Sequence, residues 1–365
     1  MATYRFIAWA DTHWDKLGAR CVTIEDTEMI EKYLFQKAKK EGFDFTLFAG
    51  DRYLKREPLD EVKVRADKVI LSEEYIIPHY HLIGNHDYVD NSMKWHTSES
   101  LRDVDNFFIM DKPSTFEHGD VLIHSLPADH VFDINNYRID LNKFNLFVFH
   151  DAVTGCFLDE AKTQAYDSGI PLETIDLPEF NLVLAGDIHV RQDLPFKNTQ
   201  GGYLGSVLQR TKADSDAERG WTEYTVTNEN GKWEFSREFF PVRSFFTRHE
   251  IVVNSETTIE YLQLPVEKFN DQLVEIRIKG SKADVDRIAD SEYWKDLETK
   301  SNSRRVEVMR LYEAVQKINV VDFSQSNNLI DDLHLYLDSG FVNLGNLSRE
   351  KIIEKVMKFK EGFYA

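Results

Sequence analysis

The sequence predicts an α/β fold built on a mainly parallel, covered sheet. Two observations predict it. Short apolar runs alternate with amphipathic stretches through the first half of the 365 residues, the order expected of β-α units. The runs are also apolar on both faces, as strands covered from both sides must be. A third observation places the chemistry: five of these runs stop abruptly on acids, histidines or an amide. In open α/β sheets, sites form beyond the carboxyl ends of strands.

Each element follows from local pattern. Residues 4–10 form a strand that ends in Asp11-Thr12-His13. Met29, Ile30, Tyr33, Leu34 and Ala38 recur at helical spacing, with Thr23 and Asp26 as a capping pair. A second strand, 43–48, ends in Ala49-Gly50-Asp51, and a charged helix covers 59–71. A third strand, 79–83, ends in Gly84-Asn85-His86-Asp87. Shorter β segments follow at 107–110 and 121–125. The run 144–149 ends in His150, and 181–185 ends in Gly186-Asp187-Ile188-His189. Strands 221–227 and 232–239 are joined by a turn at 228–231, whose Asn-Glu-Asn-Gly sequence suits a tight hairpin.

Beyond residue 240 the character changes. Residues 272–279 alternate, 281–297 read as one helix, and 305–312 alternate again, a small β-α-β unit without ligand-like residues. After a polar stretch, Ile330, Leu333 and Leu337 form one helical stripe. Ile352, Ile353, Val356 and Met357 form another. The expected division is 1–240, 241–318 and 319–365.

Composition narrows the function. Hydrophobic residues make up 42% of the chain, enough for a sizeable core. The net charge of -19 excludes a general polyanion binder, so any grip on nucleic acid must be local, metal-assisted or shared. The two cysteines, Cys21 and Cys156, cannot build a disulfide framework or a Cys-rich zinc site. No signal peptide or membrane-spanning run is apparent, which leads to a cytoplasmic expectation.

The candidate ligands are Asp11, His13, Asp51, Asn85, His150, Asp187 and His189, with His86 beside them. Taken singly, most have a bland reading: Asp-x-His as a cap, Gly-Asp as a turn, His150 as a satisfied histidine. Asp187 and His189 alternate on a short segment read as extended, which puts both side chains on one face. Together, carboxylates, imidazoles and one amide suit two divalent ions such as Mn²⁺. Such a pair can activate water and stabilise an in-line phosphoryl displacement.

In the order D-x-H, GD, GNHD, H and GDxH, these residues resemble the calcineurin-like metallophosphoesterase superfamily. Within it the chain is most similar to the recombination nucleases SbcD and Mre-eleven. The similarity lies in AGDRY followed by REPLDEV, in IPHYHLIGNHDY, and in GDIHVRQDL followed by GGYLGSVLQRT and ERGW. The compact length resembles the phage members. The likeness implies a two-sheet β-sandwich flanked by helices, a small α+β capping domain that binds DNA, and a C-terminal helical segment. It implies one metal on Asp11, His13, Asp51 and His189, and another on Asp51, Asn85, His150 and Asp187, with Asp51 bridging. His86 would protonate the leaving 3′-oxygen, with Asp87 orienting it.

The implied activity is Mn²⁺-dependent (Mg²⁺ as the alternative): 3′→5′ exonuclease on duplex ends and endonuclease on single-stranded DNA. The implied partners are a Rad-fifty/SbcC-type ATPase, held by the C-terminal segment, and a second copy of the chain. Two departures stand out. The family has His where this chain has Asp187, which adds negative charge and favours a harder ion. Leu54 stands where archaeal members carry a second functional histidine. Arg52, Lys55, Arg56, Arg191, Arg210 and Lys212 are a candidate basic rim, with ordinary solvated surface the alternative. The competing functions are a two-metal phosphatase or phosphodiesterase for a small molecule or protein, and an inactive scaffold for the ATPase.

Overall fold

The structure, a computed structural model, describes residues 2–15, 22–72, 77–159, 162–209, 218–243, 245–259, 262 and 264–312. The predicted C-terminal helices, Cys21, Arg210 and Lys212 therefore lie outside the described residues.

Two six-stranded sheets pack face to face. The first contains β1 (Ala2–Trp9), β2 (Phe45–Phe48), β3 (His79–Leu82), β4 (Phe107–Met110), β11 (Arg219–Glu229) and β12 (Lys232–Val242), in the order β12-β11-β1-β2-β3-β4. The second contains β5 (Ser114–His118), β6 (Val121–Leu126), β7 (Phe144–His150), β8 (Leu182–Gly186), β9 (Gln192–Asp193) and β10 (Gly201–Tyr203), in the order β5-β6-β7-β8-β10-β9. Within them β1 to β4 and β6 to β8 run parallel.

Alternation explains the layers. Phe6 and Ala8 of β1 join Phe45, Leu47, Leu82, Leu146, Val148 and Leu184 between the sheets. Ile7 and Trp9 point the other way, toward Leu34 and Phe35 of α1 (Ile24–Lys40) and Val62 and Val69 of α2 (Asp60–Leu71). Both faces are buried, so these strands read as unbroken apolar runs. Each fully buried Phe or Leu contributes about 2 kcal/mol from removed apolar surface. Thr23 and Asp26 form the expected capping box at the start of α1. The outer face of the second sheet is covered by irregular chain, with α3 (Leu172–Ile175), Tyr137 and Phe180 packed on Phe147 and Phe149.

The third sheet differs from the expected β-α-β unit. It has three parallel strands, β13 (Phe246–Val252), β14 (Leu273–Gly280) and β15 (Arg305–Tyr312). The first had no clear sequence signal. The helix expected at 281–297 is two, α4 (Lys282–Ala289) and α5 (Tyr293–Ser301), parted where Asp290 ends the first helix and Ser291 Oγ accepts from Tyr293 N–H. Phe245, Phe246 and Leu273 reach into the helix-side core of the sandwich. Arg304 adds a two-point ion pair to Asp26, at 2.5 and 2.8 Å. No helix among the described residues is long and apolar enough to cross a membrane.

Candidate metal centre

The site lies where β1, β2, β3, β7 and β8 end. Beyond their last residues, the loops after β1 and β2 keep pairing: Asp11 N–H donates to the Gly50 carbonyl, His13 to Asp51 and Trp14 to Arg52, at 3.0, 3.1 and 2.7 Å. The pairing continues only because the chain twists locally. Asp11, His13, Asp51 and Asp187 all take left-handed backbone angles, φ +53°, +50°, +60° and +84°. Such conformations cost free energy for side-chain-bearing residues and concentrate at functional sites. The extended reading of Asp187 to His189 thus fails at Asp187. The two side chains serve the site because the backbone turns, not because a strand alternates.

The glycines in the motifs have a steric cause. A Cβ on Gly84 would lie 2.1 Å from Asp51 Oδ1, and one on Gly50 would lie 2.2 Å from His150 Nδ1. The strand ends can converge only without those carbons.

All seven predicted ligands converge. Ligand atoms of Asp11, His13 and His189 lie within 4.8 Å of one another, as do those of Asp11, Asp51 and His150. His150 Nε2 is 3.3 Å from Asp51 Oδ1 and 3.9 Å from Asp187 Oδ1. Three backbone carbonyls set the imidazoles. Ala49 O accepts from His150 Nδ1 at 2.7 Å, Tyr53 O lies 3.4 Å from His13 Nδ1, and Leu54 O lies 2.7 Å from His86 Nδ1. At His150 and His13 the carbonyl favours the proton on Nδ1, which leaves Nε2 to face the site; at His86 it fixes the aim of the ring.

The result is a cavity of acceptors facing acceptors. His13 Nε2 and His189 Nε2 are 3.0 Å apart. The head of the Asn85 amide meets Asp51 Oδ1, Asp51 Oδ2 and His150 Nε2 at 3.2, 3.3 and 3.2 Å. Turned inward, the amide nitrogen can donate to all three; with a cation between them the oxygen turns inward instead. Asp11 Oδ2 is buried and meets no donor. Three carboxylates gathered with imidazoles and one amide are a donor set that fits two divalent ions.

The electrostatics agree. Burial pushes the Asp11 carboxyl well above the usual range, His150 opposes the shift, and Asp51 and Asp187 add to it. Burial would also raise Asp51, but His150, His13 and His86 together hold it below the ordinary carboxylate range. Burial would lower His150, yet Asp51, Asp11 and Asp187 raise it well above 6.5.

His86 sits at the edge of the cluster, its ligand atom within 4.8 Å of those of His13 and Asp51. Its side chain is 41% exposed at the mouth, and its Nε2 lies 3.9 Å from Asp51 Oδ2. Its main-chain N–H donates to Asp51 Oδ1 at 2.9 Å. The predicted role of Asp87 is not what the structure holds. Asp87 is fully buried, and its carboxylate accepts four backbone N–H groups, from Gly84, Asp51, Arg52 and Tyr53, at 2.9–3.2 Å. The contact that orients His86 is the Leu54 carbonyl. Burial and the Asp51 charge raise Asp87 to about 6, against the pull of those N–H groups.

Arg52 also departs from expectation. It is fully buried, 3.1 Å from Glu31, and so cannot belong to a basic rim. Lys55, Arg56 and Arg191 are on the surface: Lys55 is 3.9 Å from Asp15, Arg56 bonds Asn91, and Arg191 stacks on Phe239. Sequence reasoning missed the carbonyls of Ala49, Tyr53 and Leu54, because a backbone group leaves no trace in residue identity. It also missed Arg219, a buried guanidinium that donates to the His189 carbonyl.

A family model described as calcineurin-like phosphoesterase matches residues 4–191. Among curated proteins none matches the chain. Several solved structures are similar. A putative 5′-nucleotidase from Staphylococcus aureus is 14% identical, with TM-score 0.37, over 71% of this chain and 56% of that one. The chain thus spans little more than half the nucleotidase. A dimetal phosphatase from Danio rerio is 9% identical, with TM-score 0.39, over 61% and 94%. A predicted phosphoesterase from Streptococcus pneumoniae is 15% identical, with TM-score 0.31, over 66% and 99%. Likenesses at this level carry no functional argument. The family match covers half of the chain and takes in every strand-end motif from Asp11 to His189, so the chain belongs to the calcineurin-like phosphoesterases, a family of two-metal hydrolases of phosphoester bonds.

Proposed function

We propose that the chain is a Mn²⁺-dependent DNA nuclease that hydrolyses phosphodiesters at duplex ends and in single strands. The observation that carries the reading is His86: a half-exposed imidazole, aimed by the Leu54 carbonyl, at the mouth of a cluster of carboxylates and imidazoles. A diester leaves as a poor alkoxide, and a positioned imidazole that can pass it a proton answers that need.

In this reading Asp11, His13, Asp51 and His189 hold one ion. Asp51, Asn85, His150 and Asp187 hold the other. The ions supply Lewis-acid charge at the phosphoryl group and make water more acidic. Asp51 would serve both ions, and it is fixed by the His86 N–H and by the Asp87 clamp on its own N–H. His86 carries the proton on Nε2 and delivers it to the departing 3′-oxygen. The likeness to SbcD and Mre-eleven supports DNA as the substrate. It also supports a capping domain over 241–318, a Rad-fifty/SbcC-type ATPase partner held by 319–365, and a nuclease homodimer.

The test is hydrolysis by the purified chain, with Mn²⁺ or Mg²⁺, of duplex DNA, single-stranded DNA and p-nitrophenyl phosphate. Mn²⁺-dependent cleavage of both DNAs is expected. Turnover of the phosphomonoester alone would replace the nuclease reading with a phosphatase.

A further inference from the structure

The segment after Gly84-Asn85-His86-Asp87 folds back as a short clasp. Tyr88 pairs with His96 across an antiparallel bridge, and Val89 N–H donates to the Trp95 carbonyl at 3.0 Å. The base is buried and doubly tied: Thr97 N–H and Thr97 Oγ1 both donate to the Asp87 carbonyl, at 2.8 and 3.2 Å. His96 Nε2 lies 2.9 Å from Glu99 and 3.6 Å from Asp111, and Arg102 bonds both acids. Across the mouth, Arg56 bonds Asn91 of the tip.

On this fixed base the tip holds large apolar side chains outward. Val89 is 39% exposed, Met93 38% and Trp95 61%. A single exposed apolar residue on a surface needs no cause, but three on a seven-residue tip form a patch. Among the described residues, no core cluster takes it in. Lys94 lies between Met93 and Trp95 in sequence, and Lys55 and Arg56 lie on the facing loop. Three acids lie near these cations: Asp90, engaged by Ser92 N–H at 2.7 Å, Asp15, 3.9 Å from Lys55, and Glu57, next to Arg56 in sequence. In a chain of net charge -19, a tip with an exposed indole where cations and acids balance is less acidic than the whole.

The position is within reach of a substrate. From His86 through the Tyr88–His96 bridge, the Cα of Trp95 is at most about 17 Å away. That is a few nucleotides of an extended strand. Every base has a π-face, so an indole accepts one without reading sequence, while nearby cations follow the phosphates. A paired base hides its faces in the stack, whereas an unpaired base offers them.

We propose that Trp95 is a stacking platform for an unpaired nucleobase, so that the enzyme engages single strands or frayed ends. The proposal rests on the nuclease reading and names the form of nucleic acid that the site takes. Arg56 and Lys94 lie along the backbone of the same strand. The clasp keeps the indole at a fixed distance from Asp51, because Thr97 is tied to the Asp87 carbonyl and Asp51 N–H to the Asp87 carboxylate.

The experiment compares the full chain with Trp95→Ala and Trp95→Phe, in Mn²⁺, on a single-stranded oligonucleotide and on bis(p-nitrophenyl) phosphate. Trp95→Ala is expected to raise the oligonucleotide KM by about 5- to 150-fold, the range of one lost base stack. Trp95→Phe should recover much of it. The oligonucleotide should quench tryptophan fluorescence in the wild type and quench it less in Trp95→Ala. An oligonucleotide KM within twofold of wild type overturns the proposal. So does a matching loss on the small diester, which would place the defect in the metal centre. A wild-type chain that cleaves no nucleic acid sinks the nuclease reading itself, whatever the variants do.

Discussion

In the three-stranded sheet, Glu275 is 1% exposed and lies between Arg248 and Arg277, at 2.9 and 2.8 Å. At the strand ends of the sandwich, Asp11 is equally buried and one of its oxygens meets no donor. Arg310 likewise meets Asp286 and Asp290, at 3.0 and 2.6 Å, on the solvent side of the small sheet. Asn85, by contrast, faces three acceptors. A buried charge that finds its counter-charge within the chain is scaffold. A buried charge without one awaits something from outside. The backbone tells the same difference. In the sandwich, left-handed backbone reaches the site residues Asp11, His13, Asp51 and Asp187, whereas in the small sheet unit it falls at Asp271 and Asn302, away from any such cluster among the described residues.

The sharpest way to break this contrast is Asp51→Ala. Loss of a bridging carboxylate should remove both ions and reduce hydrolysis by roughly a thousandfold or more. Metal content of the purified variant checks it, and two ions still bound would end the bridging role. Next is His86→Ser, which on the proposed reading removes a proton donor and no ligand. Hydrolysis should fall by roughly a hundredfold or more with metal content unchanged. Parallel loss of metal would make His86 a ligand.

Acid should then separate the two regions. Burial holds His79 and His81 well below 6.5 and lowers His124 to about 4. A histidine with a lowered native pKa stabilises the fold above its unfolded pKa near 6.5. That stability is lost as pH falls from there toward the native value. His124 alone accounts for about 3 kcal/mol by pH 4. The described part of the small sheet unit has one histidine, the half-buried His249. Acid titration followed by region-resolved hydrogen exchange should show the sandwich loosening first. The smallest effect is the mirror experiment. Glu275→Ala should cost about 2 kcal/mol in denaturant melts, because Arg248 and Arg277 are partly exposed and regain water. Its metal content should be unchanged.

Much of the site was legible because its chemistry sits in side chains at the ends of apolar runs. The strands that carry it were placed within two residues, and Phe107–Met110 and Arg305–Tyr312 coincide with the expected ranges. What was not legible depends on backbone or on tertiary partners. Leu54 looked like an absence, yet its carbonyl aims His86. Asp87 looked like a partner for its neighbour, but four N–H groups from two loops claim it. Arg52 looked like a surface cation until Glu31 of α1, 21 residues away, took it inside. β13 escaped notice because its residues are half-buried and lack clean alternation. β9 and β10 are too short for periodicity to register.

The Asp87 carboxylate also sets a clock. The amides of Gly84, Asp51, Arg52 and Tyr53 close on one side chain, so they cannot open independently. Solvent deuterium can reach any of them only when that carboxylate lets go. Four amides on two separate loops should therefore exchange at one common rate, and an ion held by Asp51 should slow all four together.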